Sequence, residues 1–594
     1  MSLRRVGGLA AMALATLLWM SCGEVFRPVV LPTTLTPPNP ANFHAVFAVN
    51  VNAPFNPGTA MQIDVSGDTD IGVANMGVNP THAASLPNNS RVFVASAGSG
   101  TCPPGTDVIT SFAPAIDSTL GTGLGSPATF SLPVGGTAQS SGISSIIEVG
   151  NTVTVTLSSA VTNAATGVPI EISGVGGSAG SPYNGCFSII SVNGTQITYT
   201  DPTAGLAATS GGIATVPVSC PYLPDFVATS QNTAVYAASF GAENGMNCGL
   251  ASTDSVAMLN PTTNAISNIT YGTSTNPIQH PVAMVETPNA ENLYVLNQGN
   301  SSVIDLSPLD LSPITPSPIA VGNMPVWAAV RPDGQRLYVV TQGDGQLYTI
   351  NTVTNALVQG SPQSVGGAGA NFVLYDSSLN RLYVTNPTAG AAYVFNATTD
   401  PPTPMGSATG VVSIPAPSPC ATAGACSPVM PVSVAALPDG SRFYVASYAT
   451  ATGGCPDPTV SASGCIIPQV TVFDAASLTL KTTVFPLLAS ASATSASGFA
   501  LTPVSFCAPV IPYTPANARF RMFAAAATDS SRVYASMCDG GTVAIINTTT
   551  STVAVNGNAP DTLVTDLATP FSAAPAGPSG QPPTQNPVFL LTGQ

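Results

Sequence analysis

The chain has 594 residues, 7% charged and 44% hydrophobic, and its 27 acidic against 12 basic side chains give a formal net charge of −15. One lysine, Lys481, and eleven arginines leave no basic stripe to displace counterions from a nucleic acid, and an anionic membrane face would repel the chain. The apolar share suits a packed core whose polar surface is hydroxyl and amide, and 55 glycines and 56 prolines among β-branched residues favour strands and tight turns over helices.

Residues 1–21 read as a secretory signal peptide: Arg4 and Arg5 make a positive start, and 6–20 form an apolar run too short for a comfortable membrane span. The run ends in Ser21-Cys22-Gly23, which resembles a bacterial lipobox, where the cysteine is lipidated and becomes the mature N-terminus. Residues 22–42, with the Pro/Thr-rich "RPVVLPTTLTPPNPAN", then form an extended lipidated tether. The expected location is outside the cytoplasm, held to a bacterial outer membrane or cell surface only through the lipid on Cys22.

From residue 43 one pattern recurs. Its clearest copy, "PDGQRLYVVTQGDGQLYTINTVTNALV" (332–358), contains an alternating strand marked by Tyr338, a Gly-rich turn, a second alternating strand, an Asn-led turn and a third strand. The marker returns as Phe47, Phe93, Tyr236, Tyr294, Tyr383, Tyr444 and Tyr534, eight aromatics in one register. Arginine stands two residues earlier in five copies, as Arg91, Arg336, Arg381, Arg442 and Arg532, and is expected to cap the blade edge by bonding to the neighbouring "PDG" turn. A later turn opens with Asp64, Asn260, Asp305, Asn351, Asn396, Asp474 or Asn547, side chains that bond readily to their own backbone. Several copies begin with a Pro-led strand, so a unit is four strands. One four-stranded sheet cannot bury both faces, whereas sheets stacked radially can, leaving only short edges. The expected fold is an all-β propeller of seven or eight four-stranded blades, eight by marker count, with blades 1–2 in 43–133 and blades 3–8 in 219–594. The first unit shows only three strands, around Phe47, Ile63 and Val73, and the C-terminal "NPVFLLTGQ" is expected to supply the fourth and close the ring.

Between blades 2 and 3, residues 134–218 break the pattern. "TVTVTL", "IEISGV", "CFSIISV" and "QITYT" alternate cleanly and predict a separate small all-β barrel or sandwich, which resembles modules of bacterial surface and phage-tail-like proteins. Setting Cys22 aside leaves ten cysteines, an even number in an exported chain, read as disulfides. Cys455 and Cys465 are neighbours in one loop. Cys220 with Cys248, and Cys507 with Cys538, hold similar places around two repeats and are expected to pair.

The units "PDGQRLYVVTQGDGQLYTINTVTNALV" and "PDGSRFYVAS…VTVFDAASLTLKTTV" resemble the YVTN-repeat β-propeller family over residues 43–594, the insertion excepted. That family is usually seven-bladed. The resemblance brings an enzymatic alternative, because related propellers include lactonases and holders of a quinone cofactor.

The residues themselves carry little chemistry. Of His44, His82 and His280, the last two fall near blade starts, where loops approach the central channel, and a solvated loop position is the expectation. Trp327 stands on an opening strand two residues after Pro325, with Phe372 in the matching place one blade on; core packing is expected for both, a stacking platform at the channel mouth being the alternative. Asp64, Asp68 and Asp70 look like a calcium loop, but they fall on the turn that every blade has and lack the EF-hand glycine and distal Glu. No catalytic set, metal site or cofactor is predicted. The expected function is a monomeric, non-enzymatic binding scaffold for a protein, glycan or small molecule, and the alternative is a lactonase-like or quinone-dependent enzyme with its site in the channel.

Overall fold

The computed structural model describes residues 45–593 apart from loop segments, the longest being 99–107, 116–123, 132–138, 217–222, 242–253, 456–463, 487–500, 550–559 and 569–584. The expected signal, Cys22, the tether, His44 and the pair Cys220 and Cys248 lie outside the described residues. The regular elements described are strands, joined by a few single 3-10 turns.

The strands make eight antiparallel blades and one separate barrel. In the blade around Tyr338, Pro325–Val330, Arg336–Thr341 and Gln346–Asn351 pair in chain order, and the outer strand is broken into Ala356–Leu357 and Gln363–Ser364. The first strand of each unit lies innermost. Contacts between neighbouring inner strands run round the whole ring: Pro80–Ser85, Pro224–Thr229, Pro281–Glu286, Pro325–Val330, Phe372–Asp376, Met430–Ala436, Met522–Ala526 and Gln585–Thr592, which meets Pro80–Ser85 again. Gln585–Thr592 completes the first blade by pairing with Ala45–Asn52, Phe47 opposite Leu591 and Val49 opposite Phe589. The marker count of eight therefore holds, and the two ends of the chain close the ring by sharing one sheet.

All eight marker aromatics are buried, none more than 2% exposed. Three of their hydroxyls join blades: Tyr236 donates to the Pro308 carbonyl, Tyr294 to Asn355 Oδ1 and Tyr444 to Asp561 Oδ1, each in the next blade. The turn before the marker strand takes a left-handed residue, in five blades two before the arginine or, in the blade of Tyr294, before Asn292. Gly334 and Gly440 supply it at φ near 71°, while Asn89, Ala290 and Ser530 take the same conformation at the cost a side chain brings there.

The five register arginines do not bond to the "PDG" turn. Each crosses to the turn between the third and fourth strands of the following blade. Arg91 donates to the Pro261 carbonyl, Arg336 pairs with Asp400 at 2.8 Å, Arg381 donates to the Ala475 carbonyl, Arg442 pairs with Asp561, and Arg532 pairs with Asp68 at 2.9 Å. The guanidinium has the reach and the fork of donors for this crossing. The last pair joins blade 8 to blade 1, so Asp68 belongs to ring closure. Asn260, Asn351, Asn396, Asp474 and Asn547 do cap their own turns. Asp305 does not: it is fully buried and accepts the side-chain amides of Asn292 and of Asn355 in the next blade.

The insertion is a closed six-stranded barrel of Gln139–Val149, Thr152–Leu157, Pro169–Ser173, Gly185–Asn193, Gln196–Thr200 and Ile213–Val216, with a core of its own that includes Ile146, Val155, Ile170 and Tyr199. Disulfides join Cys455 to Cys465 and Cys507 to Cys538, as expected, and also Cys420 to Cys426.

Candidate functional site

The inner strands decide what the channel holds. Five of them carry Pro-x-Z at or next to their start: Pro80-Thr-His82, Pro224-Asp-Phe226, Pro281-Val-Ala283, Pro325-Val-Trp327 and Pro431-Val-Ser433. Each carries a register shift between the proline and Z, where the proline has no N–H to give the ladder. Three of these Z residues, His82, Phe226 and Trp327, turn their rings to the channel, and Phe372, Phe523 and Phe589 do so from three other blades.

These six rings form a closed circuit. His82 stacks on Phe226 at 3.8 Å between centroids, Phe226 meets Trp327 at 5.7 Å, and Trp327 meets Phe372 at 5.4 Å. Phe372 meets Phe523 at 5.7 Å, Phe523 meets Phe589 at 4.6 Å, and Phe589 returns to His82 at 4.3 Å. Phe520 packs against one side of this circuit, 5.1 to 5.7 Å from Phe523, Trp327 and Phe372. The channel is thus plugged by the chain's own side chains, in stacked, edge and tilted contacts worth about 0.5–1.5 kcal/mol each beyond burial. Trp327 and Phe372 are packing residues of this plug. His82 is no solvated loop residue: it is buried, and burial together with the nearby charge of Arg519 pushes its imidazole well below the usual histidine range, so it is neutral.

Arg519 sits on the plug. It comes from the segment that leads into blade 8, which is pinned by Cys507–Cys538 and by Asp539, whose carboxylate accepts the Val504 N–H and pairs with Arg521 at 3.4 Å. Arg519 donates to Asp225 Oδ2 at 3.1 Å and to the carbonyls of Val282 and Val326. Its guanidinium lies over Tyr513 at 4.1 Å and Trp327 at 5.5 Å. Asp225 is fully buried; burial pushes its carboxyl well up, and Arg519 pulls it back down. Burial also pushes the Tyr513 hydroxyl up to about 12.

Beside Arg519 and Tyr513 lies a cavity of about 160 Å³. Its walls are Val326, Met430, Tyr448, Pro387, Pro509, Val510 and Ile511, with Gln342, Asn371, Gly369 and Thr388 the remaining contributors. Asn371 is committed to the Val432 carbonyl and the Thr385 hydroxyl, whereas Gln342 Oε1 is buried with no hydrogen-bond partner. The walls come from the starts of inner strands and from turns after second strands, so cavity and plug belong to one face of the ring.

Of the residues singled out from sequence, His82, Trp327 and Phe372 come together in the plug. His280 stands apart: it stacks on Phe240 at 4.3 Å, its Nδ1 lies 2.8 Å from the Phe240 carbonyl and 3.2 Å from Asp254, and Phe240 in turn meets Tyr513 edge-on at 6.4 Å. Sequence reasoning missed Arg519, Asp225, Tyr513 and the cavity walls. The available signal was "ARFRM", where two of the arginines outside the repeat register alternate with an aromatic just before a blade.

No group of three or more His, Cys, Asp or Glu side chains that could hold a metal occurs among the described residues. No protein-family model matches the chain, and no curated protein does either. Solved structures do. The periplasmic gluconolactonase of Pseudomonas aeruginosa is 13% identical, with 74% of this chain and 94% of that one covered at a TM-score of 0.42. A putative 6-phosphogluconolactonase from Bacteroides fragilis is 12% identical, covering 75% and 95% at 0.41. A dihydro-haem d1 dehydrogenase is 8% identical, covering 93% and 75% at 0.45. At such identities and scores the likeness carries nothing about this chain's chemistry.

Proposed function

We propose that the protein is an exported, non-enzymatic binding propeller that captures an uncharged, largely apolar group in the cavity beside Arg519. The observation that carries this reading is the plug: the chain fills its own channel with seven rings, and the space beside it is a cavity of about 160 Å³ with mostly apolar walls. Cavities of that order accept something of the size of one aromatic ring. The charged groups nearby are already engaged with each other, Arg519 with Asp225 and Arg521 with Asp539, so they hold the walls in place and leave no free acid–base pair. Gln342 Oε1 and the Tyr513 hydroxyl are the buried polar atoms of the lining left to orient a polar group on the guest.

The test uses phenol and cyclohexanol as probes, by calorimetry on the full chain. Saturable binding is expected, and Met430→Trp, which fills the cavity, is expected to abolish it while leaving the circular dichroism spectrum unchanged. Binding that survives Met430→Trp would overturn the site. Hydrolysis of a sugar lactone that disappears in Asp225→Asn would replace this reading with the enzymatic one.

The disulfides suit an oxidising compartment. The resemblance to YVTN-repeat propellers and the lipobox-like Cys22 extend the same reading to a propeller tethered at a membrane surface. Cys22→Ser should then release the protein into the soluble fraction; unchanged fractionation would count against the anchor.

A further inference from the structure

One end of the inserted barrel gathers buried oxygens with no positive charge to meet them. Along Gln139–Val149, Ile146 is buried while Ile147 and Val149 are 53% and 77% exposed, so alternation turns Glu148 inward. Register places Glu148 opposite Val153, and Val153 opposite Tyr199, which is fully buried. Asp201, two residues further on the same inward side, is 1% exposed.

A single loop closes over this end. Its Leu206 N–H donates to Glu148 Oε2, its Thr203 N–H donates to Asp201 Oδ1, and its Ala207 carbonyl accepts from the Tyr183 hydroxyl. Three buried oxygens remain without any hydrogen-bond partner: Glu148 Oε1, Asp201 Oδ2 and the Tyr199 hydroxyl. Residues 134–218 contain no lysine, arginine or histidine, and their one other carboxylate, Glu171, lies between the inward-facing Ile170 and Ile172 on the outer side. An enclosed carboxylate beside a second, half-buried one is costly without a counterion, since an unpaired buried charge loses its hydration. The strain registers in the groups themselves: burial and the charge of Glu148 hold Asp201 above the usual carboxylate range, and burial with Asp201 pushes the Tyr199 hydroxyl up.

We propose that this end of the barrel binds one divalent hard cation, calcium being the ion its chemistry favours. Every group offered is oxygen, which excludes the softer metals that take sulfur or imidazole. A charge of two balances two carboxylates, and the tyrosine hydroxyls, loop carbonyls and water are the neutral ligands of the kind calcium adds to carboxylates.

The full chain, stripped with a chelator, is titrated with Ca²⁺ by calorimetry and with Tb³⁺ by luminescence under tyrosine excitation. The expected result is one Ca²⁺ per chain with a dissociation constant on the order of 10⁻⁴–10⁻³ M, the range of extracellular modules. Terbium emission sensitised by the adjacent tyrosines should appear and be removed by excess Ca²⁺. Asp201→Asn and Glu148→Gln preserve shape and each remove one charge, and each should weaken Ca²⁺ by roughly tenfold or more. If Asp201→Asn fails to fold, Glu148→Gln carries the comparison. Absence of Ca²⁺ binding by the wild type, or equal binding by a folded variant, overturns the proposal. So does a wild-type melting transition that ignores Ca²⁺ and responds only to pH, which would assign a proton shared by the two carboxylates.

Discussion

In the propeller ring Asp68, Asp225, Asp539 and Asp561 are buried, and each faces an arginine from another element: Arg532, Arg519, Arg521 and Arg442. In the barrel Asp201 and Glu148 face hydroxyls and backbone amides, in a segment with no basic residue at all. A chain with only 12 basic side chains thus commits several of them to the seams and channel of the ring and none to the insertion. The difference teaches where each region is complete. At its seams and channel the ring meets buried carboxylates with arginines and fills its own channel, so what it offers a ligand is the apolar cavity beside Arg519. The barrel is complete only with a charge from outside. Asp305 and Asp376 are intermediate cases, buried in the ring without an arginine: two amides answer Asp305, which burial pushes up to about 6, and the Ser378 and Tyr383 hydroxyls answer Asp376.

The most severe way to break this contrast is to open the ring. Removing 585–594 takes away the inner strand of the first blade, exposing the ladder of Ala45–Asn52 and removing Phe589 from the plug. We expect loss of the cooperative unfolding transition and aggregation. A truncated chain that melts like the full one would show that closure is not what holds the ends.

Arg519→Met comes next. It leaves Asp225 buried without its partner, and about 3–5 kcal/mol of stability should be lost in urea unfolding at neutral pH. Part of that loss should return at low pH, where Asp225 takes up a proton. A loss below about 1 kcal/mol would mean that the pair is solvated, as exposed pairs are.

Asp305→Asn probes one intermediate case. The carboxyl is near 4 in the unfolded chain and about 6 in the fold, so its contribution is fully present below about 4 and is lost as pH rises through about 6. The variant should remove this slope, worth at most about 2–3 kcal/mol, and be more stable than the wild type above pH 6. An unchanged pH profile would show that Asp305 does not titrate in that window.

The smallest effect is expected from deleting 139–216. The barrel has its own core and strand ladder, and closing the gap costs little loop entropy, so the ring transition should move by no more than about 1 kcal/mol. Collapse of that transition would make the barrel part of the ring's stability.

The blade repeat was legible because each copy buries the same position in the same way; Tyr236, Tyr294 and Tyr338 announce their environment by type and spacing. The missing strand was legible from the first unit, which has three. The arginines were legible as a register, but their partners were not. They are a Pro261 or Ala475 carbonyl, an Asp400, an Asp561 or an Asp68, set on turns of differing length with no shared motif. The candidate site was hidden for a related reason. Arg519 and Tyr513 belong to no repeat, and Asp225 looks like any strand residue until the loop carrying Arg519 is folded over it. Pro-x-aromatic at the starts of inner strands was in plain view, yet that it fills the channel follows only once six blades bring their rings to one axis.

The central claim, that the chain closes its own channel, is tested most directly on Trp327. With Trp19→Phe it is the only tryptophan left, and it lies between Phe226, Phe372, Phe520 and the Arg519 guanidinium. Acrylamide quenching of its emission should be several-fold weaker than for free tryptophan, and phenol bound in the adjacent cavity should shift the emission without increasing that quenching. Emission quenched as readily as free tryptophan would contradict the account, because it would place Trp327 at the mouth of an open channel.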